Sequence, residues 1–318
     1  MDTAARESLL AAAVEVRVKV DDVCVNVLEA SVDYQEALVE QAVQATKEPS
    51  AMDPYGAALW PSGQVLAQAV AAYLKATGDC SGITVLELGA GCGVASLVAA
   101  SLGAKALATD WRPEPLELIR ESARRQSLGS RVALRLLDLR DATISLPPAD
   151  LVVASDLLYA PGMAETVAQR LAEARRQGAA ALLGDPGRPE RGAFVAALRR
   201  LLPDEPVTFR CGGLALQRAA VASAAAGAAT KSREVFVDVL ELPPGDAVLA
   251  ALSEGAPAVS MRPAGVGAVS VLEATCLGRD AWRRLREDED GACDGSPKRR
   301  KRDHPSSKDT APSQNAPD

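Results

Sequence analysis

Between residues 14 and 28 apolar and polar residues alternate, VEVRVKVDDVCVNVL, on both sides of Asp21-Asp22. A period of two interrupted by two acids predicts a β-hairpin. Residues 33–47 read as a helix. A loop follows with Asp53-Pro54-Tyr55-Gly56 and then Leu59-Trp60-Pro61-Ser62-Gly63, leading into a helix expected at about 63–77. From Ile83 the pattern becomes regular. Apolar runs at 83–88, 105–110, 131–138, 150–156 and 179–185 predict buried strands. Helical spacing fills the intervals at 94–102, 113–127, 161–177 and about 190–202. Strands alternating with helices imply βαβ units and a parallel sheet. Two further strand-like segments, 207–211 and 234–242, are expected to form an antiparallel pair at the sheet edge.

This pattern divides the chain into an N-terminal hairpin and helix extension (1–50), an α/β domain (51–245), a C-terminal extension of undecided structure (246–285) and a tail (286–318). An Ala/Gly-rich stretch at 212–233 reads as a flexible insertion. From 286 the chain is charged and rich in Ser and Pro, the composition of a disordered segment.

Composition narrows the chemistry. The six cysteines, Cys24, Cys80, Cys92, Cys211, Cys276 and Cys293, contain no CxxC pair, which argues against a zinc site and a disulfide framework. The one histidine, His304, lies in the tail, so a Ser-His-Asp triad, a Cys-His dyad and a His-ligated metal are all disfavoured. No apolar run reaches the roughly 20 residues that span a bilayer, and the N-terminus lacks a basic region and cleavage site. The expectation is a soluble protein of the cytoplasm or nucleus, without membrane association. A net charge of −7 does not suit non-specific nucleic-acid binding. It suits a small cofactor and a basic or neutral partner.

The segment Val85-Leu86-Glu87-Leu88-Gly89-Ala90-Gly91-Cys92-Gly93 joins the first strand of the α/β domain to its helix. Glycines there let the backbone approach a ligand closely. The dinucleotide fingerprint is GxGxxG, but here the third glycine falls one position early, at Gly93. Glu87 stands where nicotinamide-binding strands are usually apolar. A ligand without pyrophosphate and with an ammonium to hold, such as S-adenosylmethionine, fits this loop better. Asp110 ends the second strand, where its carboxylate can accept both ribose hydroxyls. Asp138 ends the third, where it can meet the adenine amino group. All three acids lie at C-terminal strand ends, the edge where open α/β sheets bind ligands. Asp110 and Asp138 also suit strand-end or helix-capping roles. Trp111 suits stacking on adenine and equally partial burial at the surface.

The glycine segment resembles motif I of class I methyltransferases. With the hairpin 14–28, the Trp segment at 57–63 and Asp156-Leu157-Leu158-Tyr159 after the fourth strand, the chain resembles the family 16 protein-lysine methyltransferases over roughly residues 14–242. Gly184-Asp185-Pro186-Gly187-Arg188-Pro189 further resembles the branch of that family that acts on the electron-transfer flavoprotein β-subunit. The resemblance implies a Rossmann-like α/β fold, with a seven-strand sheet that is mostly parallel with an antiparallel edge strand, helices on both faces and an N-terminal β-hairpin extension. It implies S-adenosylmethionine as cofactor, with Trp60, Glu87, Gly89, Gly91, Gly93, Asp110, Trp111, Asp138 and Ser155 around it. It also implies methylation of a lysine on a protein substrate. The hairpin resembles that of a relative acting on arginine as well, so the substrate does not follow from the fold.

Asp156 and Tyr159 leave the sheet beside the expected methyl group. A carboxylate there can hold a lysine ammonium, and the tyrosine ring can wall a narrow channel by cation–π contact. Both residues also suit a helix cap with a buried ring. A lysine with pKa about 10.4 must lose a proton before it attacks. With no histidine available, the sulfonium charge and a desolvated channel are expected to lower that pKa, with water taking the proton. Asp156 then positions the amine and is not a general base. Trp60 suits a cover over the amino-acid end of the cofactor, and core packing no less. Asp185 and Arg188 read as a helix-start turn. The basic run Lys298, Arg299, Arg300, Lys301 and Arg302 suggests contact with a nuclear import receptor, against the plain reading of a solvated tail.

The competing readings are a methyltransferase of the same fold acting on arginine, histidine or a small molecule, a nicotinamide-dependent oxidoreductase, and a non-catalytic binding module. Loop spacing and the absence of a catalytic histidine disfavour the oxidoreductase. The intact glycine loop and Asp156–Tyr159 pair disfavour the binding module.

Overall fold

A computed structural model describes residues 1–46, 55–160, 162–207, 209–210, 214–216, 234–242, 260–263 and 272–273. The tail with its basic run, Asp53-Pro54, and most of the 212–233 and 246–285 segments lie outside the described residues.

The N-terminal alternation forms the expected hairpin, β1 (Ala13–Val20) and β2 (Val23–Ala30), paired in register from Val20↔Val23 to Ala13↔Ala30. Asp21 takes the positive φ of 57° that the two-residue turn requires, and Lys75 bridges Asp21 and Asp22. Every second residue, Val16, Val18 and Val20 on one strand and Val23, Val25 and Val27 on the other, joins the core of the α/β unit. Sequence reasoning missed two attachments. Residues 3–11 form a helix, α1 (Thr3–Ala11), capped by Asp2, whose carboxylate accepts the Ala5 N–H at 2.8 Å. Its Leu9 is buried with Leu28 and Leu118. Beyond the α/β unit, residues 260–263 pair antiparallel with β1, so the C-terminal extension returns to the hairpin.

The helix α2 (Val32–Thr46) leads to a short 3-10 turn at Tyr55–Ala57 and to α3 (Pro61–Thr77), which starts on Pro61 with the ring in place of an unneeded N–H. Then come β3 (Thr84–Leu88), α4 (Val94–Ser101), β4 (Lys105–Asp110), α5 (Pro113–Arg125), β5 (Val132–Leu136), β6 (Leu151–Ser155), α6 (Met163–Arg176), β7 (Ala180–Asp185), α7 (Arg191–Leu201) and β8 (Phe209–Arg210). Two three-residue strands, β9 (Leu214–Leu216) and β10 (Glu234–Phe236), pair with each other apart from the main sheet, and β11 (Asp238–Leu242) returns to it.

The main sheet has seven strands in the order β5-β4-β3-β6-β7-β11-β8. Five are parallel. β11 runs antiparallel to both its neighbours, β7 and β8. The antiparallel strand is therefore one place in from the edge, and the two-residue β8 is the edge. The expected 207–211 with 234–242 pair exists, but the chain breaks at Val237, so only 238–242 enters the sheet.

Strand residues alternate between two cores. Val85, Val153, Leu182 and Val239 face α3, α4 and the hairpin. Leu86, Leu88, Val152, Leu183 and Leu240 face α6 and α7 with the buried Phe194. A sheet covered on both faces explains the near-continuous apolar strands in the sequence. Among the described residues no helix is long and apolar enough to cross a membrane.

Candidate active site

Strand order reverses between β3 and β6, and the carboxyl ends of β3, β4 and β6 open there onto a pocket of about 220 Å³, room for a ligand and not merely for a few waters. Its floor is the turn from β3 into α4. Gly89, Gly91 and Gly93 all take positive φ, 59°, 53° and 70°. A Cβ on Gly89 would stand 2.6 Å from Leu157 Cδ2, and one on Gly91 would stand 3.2 Å from the Gly56 carbonyl oxygen. Glycine lets two loops approach each other here, and it leaves backbone facing the pocket.

Two acids sit under that turn. Asp110 is 4% exposed. Its Oδ2 accepts the Gly91 N–H at 3.1 Å and its Oδ1 accepts the Arg112 N–H at 3.1 Å. Burial pushes its carboxyl up to about 6, against those donors. Glu87 also lines the pocket, but its Oε2 accepts both the backbone N–H (2.9 Å) and the hydroxyl (2.5 Å) of Ser96. Its visible work is to anchor the first turn of α4. Burial pushes Glu87 up to about 7.

Trp60 and Tyr55 form one wall. Their rings meet edge to face at 6.3 Å, and the Trp60 indole N–H donates to the Tyr55 carbonyl at 3.0 Å. Trp111 lines the pocket next to Asp110, with the guanidinium groups of Arg112 and Arg140 at 5.6 and 5.3 Å from its ring. Asp138 does not line the pocket. It is half-buried and pairs with Arg140, which holds its carboxyl below the usual range.

At the far end stand Ser155, Asp156, Tyr159 and Arg188. Asp156 follows β6 in the left-handed region, φ 55°, and its N–H donates to the Gly184 carbonyl of β7 at 2.9 Å. That twist turns its side chain into the pocket, where Oδ1 accepts the Arg188 Nε–H at 2.6 Å and Oδ2 accepts the Ser62 hydroxyl at 3.4 Å. The Asp185-Pro186-Gly187-Arg188 string has its explanation here. Asp185, fully buried at the end of β7, accepts the N–H groups of Gly187 (3.0 Å) and Arg188 (3.2 Å). Gly187 takes φ 87°, and the turn so built aims Arg188 back at Asp156. Arg191 bridges Asp185 and Asp238 beneath it. The turn does precede a helix, but it also delivers a residue to the site, which sequence reasoning did not assign. The only local signal was the spacing of Asp, Gly and Arg.

The structure thus brings together Trp60, Glu87, Gly89, Gly91, Gly93, Asp110, Trp111, Ser155, Asp156 and Tyr159, and leaves Asp138 outside. Among the described residues the charged side chains lining the pocket are Glu87, Asp110, Asp156 and Arg188. The two carboxylates at the glycine end, Glu87 and Asp110, oppose the negative charge of a pyrophosphate. The lining suits a ligand that brings hydroxyl donors to Asp110 and positive charge to the middle of the pocket. S-adenosylmethionine has that constitution.

Residues 38–191 match the lysine methyltransferase family. The electron transfer flavoprotein beta subunit lysine methyltransferase of Rattus norvegicus is 33% identical over 143 residues, 43% of this chain and 52% of that protein. The histone-arginine methyltransferase METTL23 of Mus musculus is 32% identical over 117 residues, 36% of this chain and 45% of that protein. The chain spans about half the length of the curated relatives it matches. Among solved structures, the magnesium protoporphyrin IX methyltransferase of Synechocystis with bound S-adenosylmethionine is 19% identical, with a TM-score of 0.41, covering 65% of this chain and 95% of that one.

Proposed function

We propose, with that family match as the premise, that the chain is an S-adenosylmethionine-dependent protein N-methyltransferase and that its acceptor is a lysine side chain on a partner protein. The observation that carries this reading is the union, in one pocket, of the glycine turn, the buried Asp110 and the Asp156–Tyr159 mouth.

The cofactor, when bound, supplies a methyl group on a sulfonium. The chain supplies position. The backbone at Gly89 to Gly93 receives the amino-acid end, and Asp110 accepts the ribose hydroxyls. Trp111 stacks on the adenine, with Asp138 held away by Arg140. Trp60 and Tyr55 cover the amino-acid end. At the mouth, Asp156 would accept an N–H of the acceptor amine and so orient its lone pair into the pocket. The Tyr159 ring walls the channel. The proton leaves to water, since among the described residues no imidazole lines the pocket. Positioning and exclusion of bulk water carry the rate.

An arginine acceptor is the second reading. The Asp156 carboxylate already accepts the N–H of a guanidinium, that of Arg188, and some of the relatives are named histone-arginine methyltransferases. We also place the protein in the cytoplasm and nucleus, with residues 298–302 contacting a nuclear import receptor; the basic run is the support for this.

Incubation with labelled S-adenosylmethionine and fractionated lysate, followed by hydrolysis of the labelled band, tests the acceptor. Methyllysine is expected. Methylarginine in its place overturns the lysine reading, and absence of any labelled protein overturns the protein substrate.

A further inference from the structure

Asp156 is the acid at the mouth of the pocket, and its charge is already spoken for. Oδ1 takes the Arg188 Nε–H at 2.6 Å and Oδ2 takes the Ser62 hydroxyl at 3.4 Å. The arrangement is built and not incidental. Asp185 is fully buried, its carboxylate holds the backbone N–H groups of Gly187 and Arg188, and Arg191 holds Asp185 in turn. Arg188 itself lines the pocket beside Tyr159, with its side chain one-third exposed. A residue needed only to cap a turn would not be aimed across the sheet end at the acid that faces the acceptor.

We propose that Arg188 is a specificity-determining residue of this site: by balancing the charge of Asp156 it makes the pocket select the acceptor as the neutral amine and refuse the ammonium. The inference rests on the lysine reading above. A bare carboxylate would hold a protonated lysine most tightly in the form that cannot react, because the lone pair is then occupied by the proton. Paired with a guanidinium, the same carboxylate still accepts one N–H from a neutral amine but offers no net charge to an ammonium. The amine lone pair forms the new C–N bond, the electrons of the C–S bond remain on sulfur as a neutral thioether, and nitrogen is left as a methylammonium that gives its proton to water. That cationic product stands beside Arg188, which favours its departure.

Among the described residues the charged and titratable groups around the pair are few. Arg188 faces Asp156, Asp185 and Tyr159. Ser62 on α3 is neutral. Asp185 is held by Arg191, which also reaches Asp238. Glu87 and Asp110 lie at the cofactor end of the pocket.

The test is the pH dependence of methyl transfer by full-length Arg188→Met, with purified electron transfer flavoprotein as the acceptor probe and mass spectrometry to identify the modified residue. The acid limb of kcat, which reports the bound complex, is expected to move to higher pH by roughly 1 unit, the shift that one nearby unbalanced charge produces. KM at neutral pH is expected to fall while kcat falls with it, because ammonium now binds unproductively. Arg188→Lys, which keeps the charge, should return the limb most of the way. A merely structural role would change thermal stability and lower kcat equally at all pH values. Methylation of lysine by Arg188→Met with an unmoved limb overturns the role of Arg188 and leaves the lysine reading intact. Methylarginine formed by the wild-type protein overturns the lysine reading itself.

Discussion

The Asp156 carboxylate rests on the guanidinium of Arg188, Oδ1 to Nε 2.6 Å, across the carboxyl ends of two neighbouring strands. Removing either partner therefore exposes the other, and the two residues are expected to behave as a unit.

For Asp156 the informative variant is Asn. The residue sits at φ 55°, a conformation that Asp and Asn adopt readily and Ala does not. Asp156→Ala is expected to lose on the order of 100-fold in methyl transfer through misplacement of the acceptor, and also about 1–2 kcal/mol of stability from the strained backbone. Asp156→Asn keeps the backbone and one acceptor oxygen, so it should melt near wild type and lose less activity. In single-turnover assays the Asp156→Asn and Arg188→Met losses should fall short of adding, with a coupling of about 0.5–3 kcal/mol. Strict additivity would show that the ion pair has no part in the reaction.

Asp110 is expected to make cofactor affinity depend on pH. Its carboxyl is pushed up to about 6 by burial, and ribose hydroxyls bond the carboxylate more strongly than the acid. Cofactor binding then pulls that pKa down, so affinity is full above about 6 and falls as pH drops through it, about tenfold per unit. Calorimetric titration between pH 5 and 8 checks this. Asp110→Asn should bind about 10- to 100-fold more weakly at pH 8 and lose the break near 6. A variant that retains the break would assign it to Glu87, pushed up to about 7.

Two glycines of the loop should fail in different ways. A Cβ on Gly93 would stand 2.6 Å from Ile119 Cγ1 of α5, whereas one on Gly91 meets nothing nearer than the Gly56 carbonyl oxygen at 3.2 Å. Both residues have positive φ. Gly93→Ala is expected to lower Tm well beyond Gly91→Ala. Gly91→Ala should cost about 1–2 kcal/mol of stability and lose cofactor binding in the folded protein. Differential scanning calorimetry with and without S-adenosylmethionine separates the two.

Asp185 is the keystone of the turn under Arg188. Truncating it strips Arg191 of one of its two buried carboxylates and frees the N–H groups of Gly187 and Arg188. Asp185→Ala is expected to cost about 3–5 kcal/mol, the scale for breaking a buried ion pair, by denaturant unfolding. A loss below about 1 kcal/mol would show that the turn holds its shape without it.

The tail is proposed to act in localisation alone. A chain ending at Arg286 should turn over at the wild-type rate and lose nuclear accumulation in fluorescence microscopy. A large drop in turnover would make the tail part of the catalytic unit.

The order of strands and helices was legible in the sequence because periods of 2 and 3.6 are local properties. The strand at 105–110 and the parallel β-α-β run came directly from them. The glycine turn was legible for a similar reason: positive φ at three of five positions admits little else. That Asp110, Asp156 and Tyr159 line the pocket followed from their places at, or shortly after, strand ends. What the sequence could not determine is whatever depends on which strands become neighbours. The antiparallel strand lies inside the edge because β8, only two residues long, pairs outside it. Helix α1 is seen through its burial of Leu9 against Leu118, a contact with no local pattern. Asp138 looked equivalent to Asp110 in the sequence, but β4 runs to Asp110 whereas β5 stops at Leu136, so Asp138 falls beyond its strand and turns to Arg140 and solvent. Arg188 reaches Asp156 across 32 residues, because β6 and β7 are adjacent and both end at the pocket. Periodicity encodes which face a residue takes along its own element; charge pairing at the site is decided by how elements are laid side by side, and that is a property of the tertiary structure alone.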